Sequence, residues 1–100
     1  MDFIGRTFIY DYGDVQIRTT FLTESRLRWE CLAGPTAGQT GEENFQVTTV
    51  RPRIVFVAWQ ETDKTVVAQV IDWANMRVHS SITTPEREFY YLHGTLRAAE

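Results

Sequence analysis

Arg26-Leu27-Arg28-Trp29-Glu30-Cys31 alternates a charged with an apolar side chain at every step. Successive side chains of an extended strand point to opposite faces, so Leu27, Trp29 and Cys31 share one face while Arg28 and Glu30 share the other. The segment is a half-buried β-strand. No stretch of the chain shows a sustained apolar i, i+3, i+4, i+7 pattern, and the alternation recurs on both sides, so the fold class is all-β. Toward the N-terminus, Val15 to Phe21 and Arg6 to Tyr12 form two strands joined at Tyr12-Gly13-Asp14, a tight hairpin turn. Toward the C-terminus, strands are expected at Asn44 to Val50, Ile54 to Trp59, Thr65 to Asp72, Met76 to Thr83 and Glu88 to Leu96. Ala33 to Gly41, with Gly34, Pro35, Gly38 and Gly41, reads as the longest loop and the place for a lid. Eight strands at even spacing with short connections favour an antiparallel up-and-down meander that closes into a barrel and so removes its edges. An interior of that size is filled by side chains or holds one small ligand.

Composition bounds the function. One hundred residues make a single domain, taken as 1–100, and 43% hydrophobic with 23% charged residues is ordinary for a globular protein. The net charge is −3 and the basic residues are scattered, which argues against nucleic acid. The longest apolar runs fall far short of the roughly 20 residues that span a bilayer. The N-terminus lacks the basic and apolar regions of a signal peptide, so a cytoplasmic setting is expected. One cysteine, Cys31, forbids an internal disulfide and reads as a small buried residue. His79 and His93 complete the soft-ligand set without metal-ligand spacing, and neither a P-loop nor a dinucleotide fingerprint is present, so no metal and no cofactor are expected.

Parity selects the candidate site. Phe8, Tyr10 and Tyr12 share one face of the first strand, and Val55, Val57 and Trp59 share one face of the fifth, with Glu61 continuing the series. If Glu61 lies in an apolar cavity, desolvation raises its pKa and makes it a proton donor near neutrality. Two phenols beside it would hold a substrate carboxylate or carbonyl. The plainer reading is that both tyrosines are amphipathic barrel residues and Glu61 opens a solvated turn with Asp63 and Lys64. Arg18, Arg28, Arg77 and Glu30 sit mid-strand as outward residues, with an inward arginine as a carboxylate anchor the minority alternative.

Three segments carry a family resemblance. Phe3-Ile4-Gly5-Arg6-Thr7-Phe8-Ile9-Tyr10-Asp11-Tyr12 and Ile54-Val55-Phe56-Val57-Ala58-Trp59-Gln60-Glu61-Thr62 resemble the corresponding parts of phenolic acid decarboxylases and of the MoaF-like domain, a relative of the lipocalins in the calycin group. Tyr91-Leu92-His93-Gly94-Thr95-Leu96 is similar to the end of MoaF-like domains. The resemblance implies an eight-stranded calycin-like barrel with a central pocket. In the decarboxylases, paired tyrosines on the first strand grip the substrate and the glutamate of a W-x-E motif acts in proton transfer, without metal or organic cofactor. Tyr10, Tyr12 and Glu61 match those positions. The decarboxylase arginine is unmatched where this chain reads Gln39-Thr40-Gly41-Glu42, a further tyrosine is replaced by Val15 or Gln16, and the proline after the glutamate is Thr62. These departures bear on activity more than on fold.

Three functional classes follow. The first is a barrel that binds a small aromatic or apolar molecule, lined by Tyr10, Tyr12, Trp29, Trp59 and Glu61. The second is a cofactor-free lyase or isomerase with Glu61 as general acid and the tyrosines holding substrate. The third is a structural or interaction module whose interior is filled. A homodimer is compatible with each.

Overall fold

A computed structural model describes residues 1–99 as nine antiparallel strands in one sheet, with no helix. The strands are β1 (Thr7–Asp11), β2 (Gln16–Phe21), β3 (Arg26–Ala33), β4 (Thr40–Asn44), β5 (Gln46–Arg51), β6 (Ile54–Gln60), β7 (Val66–Asp72), β8 (Arg77–Thr83) and β9 (Phe89–Ala98). Their order across the sheet is β4-β3-β2-β1-β9-β8-β7-β6-β5. All ladders join consecutive strands except β1 with β9, where Phe8 stands opposite Ala98 and Tyr10 opposite Leu96. The sheet curls into a nearly closed barrel.

Nine strands rather than eight is a correction, and it comes from one segment. The expected loop from Ala33 to Gly41 stops at Gln39, because Thr40–Asn44 pairs with β3, Gly41 lying opposite Trp29 and Glu43 opposite Leu27. The expected strand from Asn44 to Val50 is the continuation of that segment after a bend. At Phe45 the chain changes partner from β3 to β6, with the Phe45 amide donating to the Ser25 carbonyl at 3.0 Å and Gln46 pairing with Ala58. The Phe45 side chain is buried, which fixes the bend against the core. Thus one bent segment, not a ladder, bridges the two edges of the sheet.

The turns follow backbone chemistry. Tyr12 donates its amide to the Val15 carbonyl at 2.9 Å around Gly13-Asp14, and Gly13 at φ 96° supplies the left-handed first position of a type II′ hairpin. Asp11 Oδ1 accepts from the Gly13 amide at 2.9 Å. The β6–β7, β7–β8 and β8–β9 connections close instead on Lys64, Met76 and Arg87, all at positive φ without being glycine.

The structure settles which faces are inward: Phe8 and Tyr10 on β1 and Leu27 and Cys31 on β3 are buried, and on β6, where Ile54, Phe56 and Ala58 are as apolar as their neighbours, Val55 and Val57 are the buried ones. The outward series holds too, as the exposed Arg18–Glu30 pair at 2.7 Å lies on the outer face. The two halves of the interior differ in chemistry. Toward the N-terminal end of β1, the rings of Phe3, Phe8, Phe21, Phe45 and Trp73 form one cluster, with centroids 4.9 Å apart for Phe3–Phe21 and 5.1 Å for the stacked Phe3–Trp73 pair. Each fully buried ring contributes roughly 1.5–3 kcal/mol through its removal from water. Toward the other end the interior turns polar.

Candidate functional site

The polar half begins with β1. Tyr10 is 1% exposed, and its ring meets that of Tyr12 edge-on, with centroids 6.4 Å apart. The Tyr10 hydroxyl has no hydrogen-bond partner among the described residues. Burial holds its pKa well above the usual phenol range, reinforced by Tyr12; Thr19 comes close enough to oppose this without reaching hydrogen-bond geometry. Tyr12 reaches further, to Ser80 on β8, with 2.7 Å between the hydroxyls. Burial pushes Tyr12 up to about 12, and the Ser80 hydroxyl moderates the shift. Both phenols are therefore neutral hydrogen-bond donors at physiological pH.

Gly94 is the reason Tyr12 can cross to β8. Strand β9 lies between β1 and β8, and Gly94 shares the inward parity of Leu96. A Cβ at Gly94 would collide with the Asp11 carbonyl and press on the Tyr12 Cα. Without one, β9 passes close under the end of β1.

Two tryptophan–carboxylate pairs face this half from the other side of the barrel. Trp59 Nε1 donates to Glu61 Oε2 at 3.2 Å, and Trp29 Nε1 donates to Glu43 Oε2 at 2.9 Å. Partial burial raises the Glu61 pKa; the Trp59 N–H opposes the shift, and the charges of Glu43 and Asp63 add to it. Glu43 is itself 9% exposed. Gly41 belongs to this arrangement, because a Cβ there would come within 2.8 Å of both the Trp29 indole nitrogen and Glu43 Oε2. Gln69, opposite Ser80 on the β7–β8 ladder, is buried, and its Oε1 has no partner among the described residues.

Of the residues singled out from sequence, the structure thus joins Tyr10 with Tyr12 and Trp59 with Glu61. It sets Trp29 on Glu43, whose charge acts on Glu61. Tyr12 is committed to Ser80 and Glu61 to Trp59, so the phenols and the carboxylate are engaged separately. Glu43, Gln69, Ser80 and Thr19 were not expected in the site. The signal for Gln69 and Ser80 is parity, since Gln69 shares a face with Val67 and Ile71 on β7 and Ser80 with Val78 on β8.

Elsewhere, Cys31 is buried and takes a hydrogen bond from the Thr36 hydroxyl at 3.3 Å. His79 and His93 stand opposite one another on β8 and β9, their rings 6.1 Å apart. Among the described residues no group of three His, Cys, Asp or Glu side chains is placed to hold a metal ion. Among the described residues no helix is long and apolar enough to cross a membrane. An open groove of about 390 Å³ lies along the seam, bordered by Asn44, Gln46, Ala58, Trp59, Gln60 and Val66.

Comparison with known proteins adds a family and a structural neighbour. The family model described as MoaF-like matches residues 4–97. A crystal structure from Burkholderia vietnamiensis, provisionally called a beta-lactamase, superposes with a TM-score of 0.95 at 29% sequence identity, covering 99% of this chain and 97% of that one. None of the curated proteins matches the chain significantly.

Proposed function

The chain belongs to the MoaF-like family, and from that premise we propose that its barrel binds a small aromatic or otherwise apolar molecule between Trp29 and Trp59, with Tyr10, Tyr12 and Glu61 as its polar contacts. The observation that carries this reading is the buried Tyr10 hydroxyl without a partner. Leaving such a donor unpaired costs about 1–3 kcal/mol, which a ligand carbonyl or carboxylate would recover. Gln69 Oε1, likewise unpaired, invites a donor on the same ligand. Apolar walls with a few convergent polar groups are the usual make-up of such sites. A cytoplasmic setting belongs to the same proposal.

A second reading, a cofactor-free lyase or isomerase, is favoured by one observation: burial and the neighbouring Glu43 hold the Glu61 proton more tightly than water would. Glu61 would donate that proton while Tyr10 and Tyr12 hold the substrate. Acyl transfer of the kind named for the Burkholderia protein has less support in this chain. Ser80 is buried and bonded to Tyr12, a phenol too weakly acidic to serve as a base at neutral pH, and the single lysine, Lys64, stands in an exposed turn.

A proton NMR time course with para-hydroxycinnamic acid separates the readings. Ligand line broadening without turnover, with a thermal shift that rises toward saturation, is the expected result; at about 100 times the dissociation constant the shift corresponds to roughly 2.7 kcal/mol. Appearance of the vinyl product would establish the lyase, and Glu61→Gln should then abolish turnover while retaining most affinity. No broadening, and no thermal shift across a wide panel of aromatic ligands, would leave the barrel a filled structural module.

A further inference from the structure

The end of the barrel opposite Glu61 holds a concavity of about 360 Å³ that reaches inward to the buried Phe8 and Val55. Its walls are aromatic. Phe3 stacks on Trp73 at 5.1 Å, and Phe8 tilts against the same indole at 4.7 Å. Its rim carries the Arg53 guanidinium, with Arg6 and Asp2 beside it.

We propose that this end is a second binding site, built for a small aromatic carboxylate. Three observations converge on that chemistry. Trp73 lines the concavity with its ring, while its Nε1 lies buried behind that surface with no partner among the described residues, a donor that stays costly until a shift of the indole on ligand entry brings it an acceptor. Arg53 is held in place: its Nη2 donates to the Trp73 carbonyl at 3.2 Å, which leaves its other N–H groups for an anion. It also occupies φ 67°, a conformation that side chains other than glycine rarely take. Asp72 lies near enough to Arg53 to feel its charge, but its carboxylate is already engaged by the Ala74 and Asn75 amides at 3.0 Å and by Asn75 Nδ2 at 2.9 Å. Arg6 sits over the Phe8 ring, its Cζ 5.0 Å from the centroid, at the mouth of the same space. An aromatic ring would enter between Phe3, Phe8 and Trp73, and its carboxylate would meet the Arg53 guanidinium, for which a planar bidentate acceptor is the natural partner.

The test is a proton–nitrogen NMR titration of the whole chain with phenylacetate and, separately, with neutral phenylacetamide. The Trp73 indole signal is assigned by its loss in Trp73→Phe. Phenylacetate should shift that signal together with the Arg53 amide, and the amide analogue should bind at least about tenfold more weakly. Arg53→Gln, an exposed change that leaves the fold intact, should weaken phenylacetate by a similar factor and steepen nothing else in the titration. Equal binding of acid and amide, an unmoved Trp73 signal up to about 10 mM ligand, or undiminished affinity in Arg53→Gln would each overturn the proposal. Shifts confined to residues around Tyr10, Tyr12 and Glu61 would also overturn it while leaving the site between the tryptophans standing.

Discussion

At the residue scale, Tyr10 and Glu61 each carry a polar group that the free fold leaves incompletely compensated. Tyr10 buries a hydroxyl that gains nothing inside. Tyr10→Phe should therefore leave the stability of the free protein unchanged or raise it by up to about 1 kcal/mol, while weakening any ligand held by that oxygen. Urea denaturation of both forms checks this, and a loss greater than about 1 kcal/mol would mean that the hydroxyl is satisfied, with Thr19 the first suspect. Glu61 is a carboxyl whose folded-state pKa lies above its ordinary 4.5. The folded chain then holds the proton more tightly than the unfolded chain does, so the contribution of Glu61 is most favourable below that ordinary value and is lost as pH rises through the folded pKa. Glu61→Gln should be the more stable protein at neutral pH, by a margin that shrinks on acidification. Melting temperatures of the two forms between about pH 4 and 7 would show the lines converging toward acid; parallel lines would remove the basis for a poised proton donor.

At the element scale, the bend at Phe45 does most to set the shape. It lets one segment serve β3 on one side and β6 on the other, and its ring packs on Phe21 at 5.7 Å. Phe45→Ala should cost about 3–5 kcal/mol and loosen β4 from the rest, which hydrogen exchange of the β4 amides would register as lost protection. A uniform loss of protection across all nine strands would show instead that the bend is no weaker than the remainder. This same segment marks the limit of what sequence conveys. Leu27, Trp29 and Cys31 alternate so cleanly that β3 and its inward face are legible at once, and the parity of Phe8, Tyr10 and Tyr12 is equally plain. Thr40-Gly41-Glu42-Glu43-Asn44 is rich in residues that strands avoid, so its composition places Thr40 and Gly41 in a loop and delays the next strand to Asn44; the pairing of β4 comes from β3 beside it, not from its own propensity. Burial of Glu43 was hidden for the same reason, because a glutamate is inward only when a partner such as Trp29 receives it. The turns at Lys64 and Arg87 are legible as polar interruptions, whereas Met76 reads as the first residue of a strand; the left-handed residue of each is hidden, since none is glycine.

At the scale of the whole molecule, the ladder between β1 and β9 joins the two ends of the chain, Phe8 opposite Ala98. That contact closes a loop of nearly the entire sequence before any reward is gained, and all other ladders are local hairpins. Refolding followed by tryptophan fluorescence should therefore fall in the range of milliseconds to seconds expected of all-β domains with distant pairings. Relaxation in microseconds would mean that the terminal strands dock after the signal has formed.

Read from the other edge, the sheet runs β5-β6-β7-β8-β9-β1-β2-β3-β4, which is chain order rotated by four places. The step from β9 to β1 lies in the middle of a continuous ladder, and the opening of the sheet lies between β4 and β5, at Phe45. The Ala99 amide donates to the Thr7 carbonyl, so the described C-terminal residues run beside the first strand. A circular permutant with its ends tied by a short linker and a new start at Gln46 would turn the β1–β9 ladder into one more hairpin, leave the other ladders as they are, and free both edges of the seam from the one covalent link that now holds them together.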